Sequence, residues 1–271
     1  MLQPRAAAPR LVHRSGNRLQ APGKFLWLDD DAKRPPRLRN GEIEILPLRN
    51  HGFDHVPNGL IHDWIGAIFI PDASLSQVIG LLTDYDRYDT IYHPEVVDAR
   101  LLSHSTDKDE FSMRLANKLL FVSTGVDVRC IGRTVRIDDH RAYSLSYTTR
   151  VEEIENYGRS DERELAPDTG DGFIWRLYTV VRYQERDSGV YLEMETVALT
   201  RDIPSSLSFL ITPLVKKLSH NSLTLSLQKT PDAISPHVDA TTRAAGGARS
   251  NTSELNSNGN AVPAISSFRQ R

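Results

Sequence analysis

The chain is poor in the features that define several common protein classes. It has one cysteine, Cys130, in 271 residues, which excludes an intramolecular disulfide framework and leaves no thiolate cluster for zinc. It also has no apolar run near the roughly 20 residues that a membrane-spanning helix requires, because Pro71 and Asp72 interrupt the richest run. We therefore expect a soluble protein without a transmembrane segment, whose stability comes from packing.

An excess of charge of one sign is also missing. The formal net charge is -2, whereas a dedicated nucleic-acid binder would be expected to carry a strongly basic domain or stripe. We therefore expect no nucleic-acid partner. Residues 1–24 contain four arginines but lack the apolar core of a secretory signal. The default expectation is a cytoplasmic location, a transit peptide is the alternative, and the compartment is otherwise left open.

The composition divides the chain into three parts. Residues 1–54 form a basic, Pro-rich N-terminal extension that is predicted to be partly disordered. Residues 55–230 are one block with a dense apolar pattern. Residues 231–271 are rich in Ser, Asn, Thr, Gly and Ala and are predicted to be a disordered low-complexity tail.

The central block combines strand and helix patterns. The segment "LIHDWIGAIFI" is apolar at both parities, as in a strand buried on both faces, and apolar residues then recur at helical spacing from Leu75 to Leu82. Six further alternating segments and a helical C-terminal stretch follow. Because the helices alone can cover an apolar sheet face, we predict an α+β fold. In this fold, a curved antiparallel sheet of about seven strands grips a long C-terminal helix, with one or two short helices after the first strand.

Two stretches resemble the START-like helix-grip superfamily (SRPBCC, the polyketide cyclase/dehydrase and lipid transport group). They are "HDWIGAIFIPDASLSQVIGLLTDYDRYDTIYHPEVVDARLL" and the closing "YLEMETVALTRDIPSSLSFLITPLVKKL". The resemblance covers about 55–230. It implies a cavity between the sheet and the long helix that holds a hydrophobic or amphipathic small molecule. It does not select one function, because the superfamily mixes carriers, receptors and aromatase/cyclases.

Strand alternation predicts which side chains line that cavity. The set includes many hydroxyls, and a buried hydroxyl without a partner costs about 1 to 3 kcal/mol. This favours a wet or ligand-filled cavity over a dry packed core, which is the alternative. The predicted lining residues are Met113, Leu115, Thr124, Val126, Val128, Tyr143, Tyr147, Trp175, Leu177, Thr179, Met194, Thr196, Ala198, Leu207, Leu210 and Leu214.

The stretch "DYDRYDTIYHP" concentrates acidic and aromatic residues after the first helix. Its aspartates lack the central glycine and terminal glutamate of a calcium-binding loop, so we predict a helix end and no metal or other cofactor. Tyr85, Tyr88 and Tyr92 are spaced by three and four and can share one face. They are predicted to lie at the cavity rim.

Candidates for catalysis are few. Cys130 is interpreted as a core residue and not as a nucleophile. Tyr143, Tyr147 and His62 could perform general acid–base chemistry if they converge, and the alternative is that they are hydrogen-bonded wall residues. The outer face is predicted to carry Arg150, Arg176, Arg182 and Arg201 together with Glu152, Glu193 and Glu195. Cross-strand ion pairs on a solvated sheet face are the favoured interpretation, and an anionic-lipid or RNA patch is the alternative.

The predicted function is binding of a hydrophobic or amphipathic small molecule, used for transport or sequestration. A cyclase/dehydratase-like enzyme that acts on a polyketide or similar substrate in the same cavity is the first alternative. A protein-interaction module that uses the flanking segments is the second. Non-catalytic binding is favoured, transient membrane contact stays open, and the sequence names no protein partner.

Overall fold

Ten strands form one antiparallel sheet in a computed structural model of the chain. The structure describes residues 25–48, 53–56, 59–119, 122–167, 169–170, 174–201 and 219–234. The seven long strands are β3 (Gly59–Pro71), β4 (Val96–His104), β5 (Asp109–Leu119), β6 (Val122–Arg136), β7 (Arg141–Glu155), β9 (Arg176–Arg186) and β10 (Gly189–Arg201). The three short ones are β1 (Glu44–Pro47), β2 (Phe53–Val56) and β8 (Arg163–Glu164). The main strand order is β1-β3-β10-β9-β7-β6-β5-β4.

The strand count is higher than predicted because of these three short strands. β1 and β2 both pair with β3, and β8 pairs with the end of β7. None of them exceeds four residues, so each shows little of the alternation by which strands are recognised. The seven long strands are those that the sequence predicts.

The described residues form four α-helices. They are α1 (Arg34–Arg39), α2 (Leu75–Thr83), α3 (Tyr88–Ile91) and α4, which includes residues 219–234. A capping box starts α2, in which the Ser74 hydroxyl accepts from the Gln77 N–H and Gln77 Oε1 accepts from the Ser74 N–H. The predicted short helices after the first long strand are therefore confirmed.

One face of the sheet, the inner face, packs against α4. Leu223 and Leu227 of α4 share a hydrophobic cluster with Ile68 of β3 and Leu192 of β10. Gly66 permits this approach, because a Cβ at that position would lie 2.6 Å from Leu227 Cδ1. The predicted α+β helix-grip arrangement, an antiparallel sheet packed against a C-terminal helix, is confirmed.

The opposite, outer face is covered by residues 25–39, which we call the N-terminal cover. Phe25, Leu26, Trp27, Leu28 and Leu38 pack there with residues of β3 and β10. From the sequence, these residues were predicted to belong to an extension outside the domain. The outer face of the sheet was predicted to be solvated. The second prediction is wrong over this region, because apolar side chains of the cover exclude water from it.

The N-terminal cover is held by a buried ion-pair cluster. Arg182 of β9 donates to Glu193 (2.9 Å) and to Glu195 (3.0 Å), and Arg182 and Glu193 have no exposed surface. Glu193 Oε2 also accepts from the backbone N–H groups of Trp27 (2.6 Å) and Leu28 (3.2 Å). The predicted cross-strand ion pairs are present, but buried.

The described residues all lie within one compact unit, Met1–Ser235. Residues 236–271 lie outside the described residues. Within the described ranges, the longest helix is too short and too polar to pass through a membrane.

Candidate ligand-binding site

Along β10, the side chains of the inner face change from fully buried to partly exposed. Val190 and Leu192 have no exposed surface, whereas Met194 and Thr196 are partly exposed. Outer-face residues of the same stretch, 193–197, are at most 3% exposed. Over this stretch of β10, partial exposure is therefore confined to the inner face.

Neighbouring strands show the same transition. On β9, Tyr183 and Val181 are buried, and Leu177 and Thr179 further along the inner face are partly exposed. On β5, Met113 and Leu115 pack against two different hydrophobic clusters and remain partly exposed. Apolar side chains that contact two clusters but are not fully buried by them can also contact an apolar ligand.

Strand register places ten of the predicted lining residues on the inner face. Val126 and Val128 are buried in a cluster beside α3, and the other eight are partly exposed. Leu207, Leu210 and Leu214 lie outside the described residues. The ten inner-face residues are Met113, Leu115, Thr124, Val126, Val128, Leu177, Thr179, Met194, Thr196 and Ala198.

Three predicted lining residues lie on the other side of the sheet. Tyr143 is in register with Arg182 of the outer face. Tyr147 is 43% exposed and stacks on Tyr178, with 6.3 Å between ring centroids. Trp175 packs against the outer-face cluster that includes Val197. Their assignment to the cavity is wrong. The inner parity of β7 carries serine and threonine where the tyrosines were expected, and Trp175 packs with the outer-face cluster instead.

The tyrosines predicted for the cavity rim are core residues. Tyr85 and Tyr92 are 6% and 7% exposed, and all three hydroxyls bond to protein groups. Tyr85 donates to Asp109 (3.2 Å) and Tyr88 donates to the carbonyl of Leu82 (2.7 Å). Burial raises the pKa of Tyr92 to about 12 and raises the pKa values of Tyr85 and Tyr88 further. These hydroxyls therefore stay protonated and act as structural anchors.

The candidate acid–base residues do not converge. His62 is 1% exposed, and its Nε2 lies 3.0 Å from the Thr200 hydroxyl. It occupies the inner parity of β3, whereas Tyr143 and Tyr147 lie on the outer face. Burial raises the pKa of Cys130 to about 12, so its thiol stays protonated and is a poor nucleophile.

The aspartates of "DYDRYDTIYHP" serve local structure. Asp86 accepts from the Leu101 N–H (2.8 Å), and Asp84 forms an ion pair with Arg87 (3.6 Å). Within the described part of the chain, no three His, Cys, Asp or Glu side chains are grouped so that they could hold a metal ion.

Polar contacts fix α4 above the inner face. The Tyr92 and Thr230 hydroxyls are 3.2 Å apart, and Ser222 donates to Glu95 (3.0 Å). Burial raises the pKa of Glu95, and the hydrogen bond from Ser222 partly opposes this shift. Together with Leu227 against Gly66, these contacts set the separation between helix and sheet.

Trp64 and Ser146 are among the inner-face residues with hydrogen-bonding groups that were not predicted as lining residues. Trp64 of β3 packs against the main core cluster and remains partly exposed, and Ser146 of β7 is in register with Thr179. Trp64 lies in a segment that is apolar at both parities, so alternation did not distinguish its face. Ser146 was assigned outward because the more apolar tyrosines occupy the other parity.

Comparisons with known proteins give similarity only at the level of solved structures. No protein-family model matches the chain, and no curated protein is significantly similar to it. A STAR-related lipid transfer protein from Xanthomonas axonopodis is 14% identical and covers 68% of this chain and 98% of its own, with a TM-score of 0.44. The Zhui aromatase/cyclase from a Streptomyces species is 12% identical and covers 69% of this chain and 98% of its own, with a TM-score of 0.46. Human STARD10 is 8% identical and covers 82% of this chain and 89% of its own, with a TM-score of 0.43.

These similarities are too distant to support an argument about function. The helix-grip fold of this chain rests on its own strand order and on α4 packed against the inner face of the sheet.

Proposed function

We propose that the chain binds a hydrophobic or amphipathic small molecule between the inner face of its sheet and the C-terminal helix. The observation that carries this proposal is the transition along β10, from fully buried Val190 and Leu192 to partly exposed Met194 and Thr196. A core designed only for stability would close this space, because each unfilled methyl-sized void costs about 1 kcal/mol.

The positions of the candidate acid–base residues favour binding of a ligand over catalysis. His62 already contacts Thr200, and the two tyrosines that would share its chemistry are on the other face of the sheet. The cyclase/dehydratase alternative therefore has no acid–base pair among the described residues that were its candidates. A ligand-binding role requires only the apolar inner surface and its hydroxyls.

The test is a bulky substitution at the inner face with a matched substitution at the outer face. Met194→Trp should fill the proposed cavity, whereas Tyr147→Trp changes an exposed outer-face position. The probe is N-phenyl-1-naphthylamine, which is uncharged and fluoresces in apolar surroundings. We expect saturable binding to the unmodified chain, a loss of affinity of about tenfold or more in Met194→Trp, and unchanged affinity in Tyr147→Trp.

Circular dichroism melting of both variants shows whether each is folded at the titration temperature. Saturable binding that is equally strong in a folded Met194→Trp variant would contradict the proposed position of the ligand. A lack of saturable binding to the unmodified chain would contradict the proposed function.

A further inference from the structure

Four side chains with hydrogen-bonding groups form a row across four adjacent strands of the inner face. Trp64 of β3 is in register with Thr196 of β10, Thr196 with Thr179 of β9, and Thr179 with Ser146 of β7. Side chains directly opposite one another on adjacent strands lie about 5 Å apart at their Cβ atoms. We call these four residues the polar row.

The polar row differs from its surroundings in its hydrogen bonding. Among the described residues, the buried Trp64 Nε1 has no hydrogen-bond partner, and the hydroxyls of the row form no side-chain hydrogen bond. In the adjacent row, Ser144 is bonded to Thr134 (2.7 Å) and accepts from Tyr183 (3.0 Å). The Ser144 hydroxyl is therefore hydrogen-bonded within the protein, whereas the hydroxyls of the polar row can form hydrogen bonds with a ligand.

An available row of this kind has an energetic cost. A buried donor without a partner destabilises the fold, and the indole N–H is a donor only. An acceptor atom placed at Trp64 Nε1 would remove this cost. The hydroxyls of Thr179, Thr196 and Ser146 can both donate and accept, so they can bond to the same acceptor or to a neighbouring hydroxyl group.

The chemistry around the polar row selects against a charged group. One flanking row consists of Gly66, Met194, Val181 and Ser144, and the other contains His62, Ala198 and Leu177. The ionisable side chain in these rows is His62, which already contacts the Thr200 hydroxyl. His220 of α4 packs edge-on against the Trp64 ring, with centroids 5.6 Å apart, and is itself exposed. A buried carboxylate in the row would therefore have no paired cation among the described residues of these rows, which is costly.

We propose that the polar row holds the polar end of a neutral amphipathic ligand, such as a ketone, alcohol or phenol, through an oxygen atom that accepts from Trp64 Nε1. This inference rests on the proposed function and adds the chemical class of the ligand. The apolar remainder of the ligand lies against Met194, Val181, Met113 and Leu115. The row thus determines which hydrophobic molecules are retained.

The test compares three probes of nearly equal shape. 2-Acetylnaphthalene offers a neutral acceptor, 2-isopropylnaphthalene offers none, and 2-naphthoate offers a charged one. The chain has three tryptophans, so its ¹⁵N-labelled form gives three indole N–H resonances, and Trp64→Phe identifies the one from Trp64. We expect the ketone to bind about five- to tenfold more tightly than the hydrocarbon and to move the Trp64 resonance downfield, which the hydrocarbon does not do.

Two variants test whether the polar row causes the preference for the ketone over the hydrocarbon. Thr196→Val preserves the shape of the side chain and should bring the ketone and hydrocarbon affinities closer together. Thr149→Val is the matched control, because its hydroxyl is exposed and donates to the carbonyl of Arg129 (3.2 Å), and it should leave the ratio unchanged.

Failure of this inference can be distinguished from failure of the proposed function. Equal affinities for the ketone and the hydrocarbon, with the Trp64 resonance at the same position in both complexes, would overturn the polar row and leave the proposed function standing. Tighter binding of 2-naphthoate than of the ketone would overturn the neutral class. Absence of binding by all three naphthalenes and by N-phenyl-1-naphthylamine would overturn both proposals.

Discussion

At the scale of single residues, the side chain with the most demanding environment is Glu193. Its carboxylate has no exposed surface and accepts hydrogen bonds from Arg182 and from two backbone N–H groups of the N-terminal cover. Removing one partner of a buried ion pair leaves the other charge uncompensated. We expect Glu193→Gln to lower the free energy of unfolding by about 3 to 5 kcal/mol, measured by urea denaturation.

An exposed ion pair provides the control for this prediction. Asp98 and Arg100 form a pair at 3.0 Å with side chains more than half exposed, so Asp98→Asn should cost less than about 1 kcal/mol. Equal costs for the two variants would mean that the buried cluster does not hold the N-terminal cover to the sheet.

At the scale of secondary-structure elements, the position of α4 depends on one missing side chain. A Cβ at Gly66 would lie 2.6 Å from Leu227 Cδ1 and 3.1 Å from Ile45 Cγ1, and Leu227 is fully buried. We expect Gly66→Ala to destabilise the fold by about 1 to 3 kcal/mol through overpacking, measured as a shift of the urea midpoint at an unchanged slope.

Gly80 in α2 is the matched control, because a Cβ there would meet no atom within 4 Å. Gly80→Ala should stabilise the fold by up to about 1 kcal/mol, since alanine has the higher helix propensity. If Gly66→Ala were as well tolerated as Gly80→Ala, the close approach of α4 to β3 would be incorrect.

The elements themselves were largely predictable from the sequence, but the facing of some side chains was not. The capping box at Ser74 and the alternation of Phe111, Met113 and Leu115 are local signals, and the structure contains the corresponding helix and strand. β7 misled the prediction, because its tyrosines face outward and Ser144 and Ser146 face inward. Alternation identifies two faces, but only long-range packing determines which face is inner.

At the scale of the whole molecule, the described residues form three layers: the N-terminal cover, the sheet and the inner helices. The cover was not predicted because its apolar residues form a single short run, "FLWL", in a Pro- and Arg-rich segment. Its importance can be tested with two truncations. Deletion of residues 1–24 provides the reference, because the described contacts of the cover begin at Phe25.

Deletion of residues 1–40 should lower the melting temperature by at least about 10 °C. Burying each large apolar side chain contributes about 1.5 to 3 kcal/mol, and about 1 kcal/mol changes the melting temperature by about 2 to 4 °C in a chain of this size. Circular dichroism melting measures both truncations. Equal melting temperatures would mean that the cover contributes nothing to stability.

The N-terminal cover also has a consequence for motion. β3 and β10 are covered on the outer face by residues 25–39 and on the inner face by α4 and α2. Local opening events involve the segments with the fewest buried contacts, so a displacement of the inner helices does not by itself expose both faces of these strands. The outer layer thus allows the inner helices to move while the sheet keeps its shape, as entry of the proposed ligand beneath α4 would require.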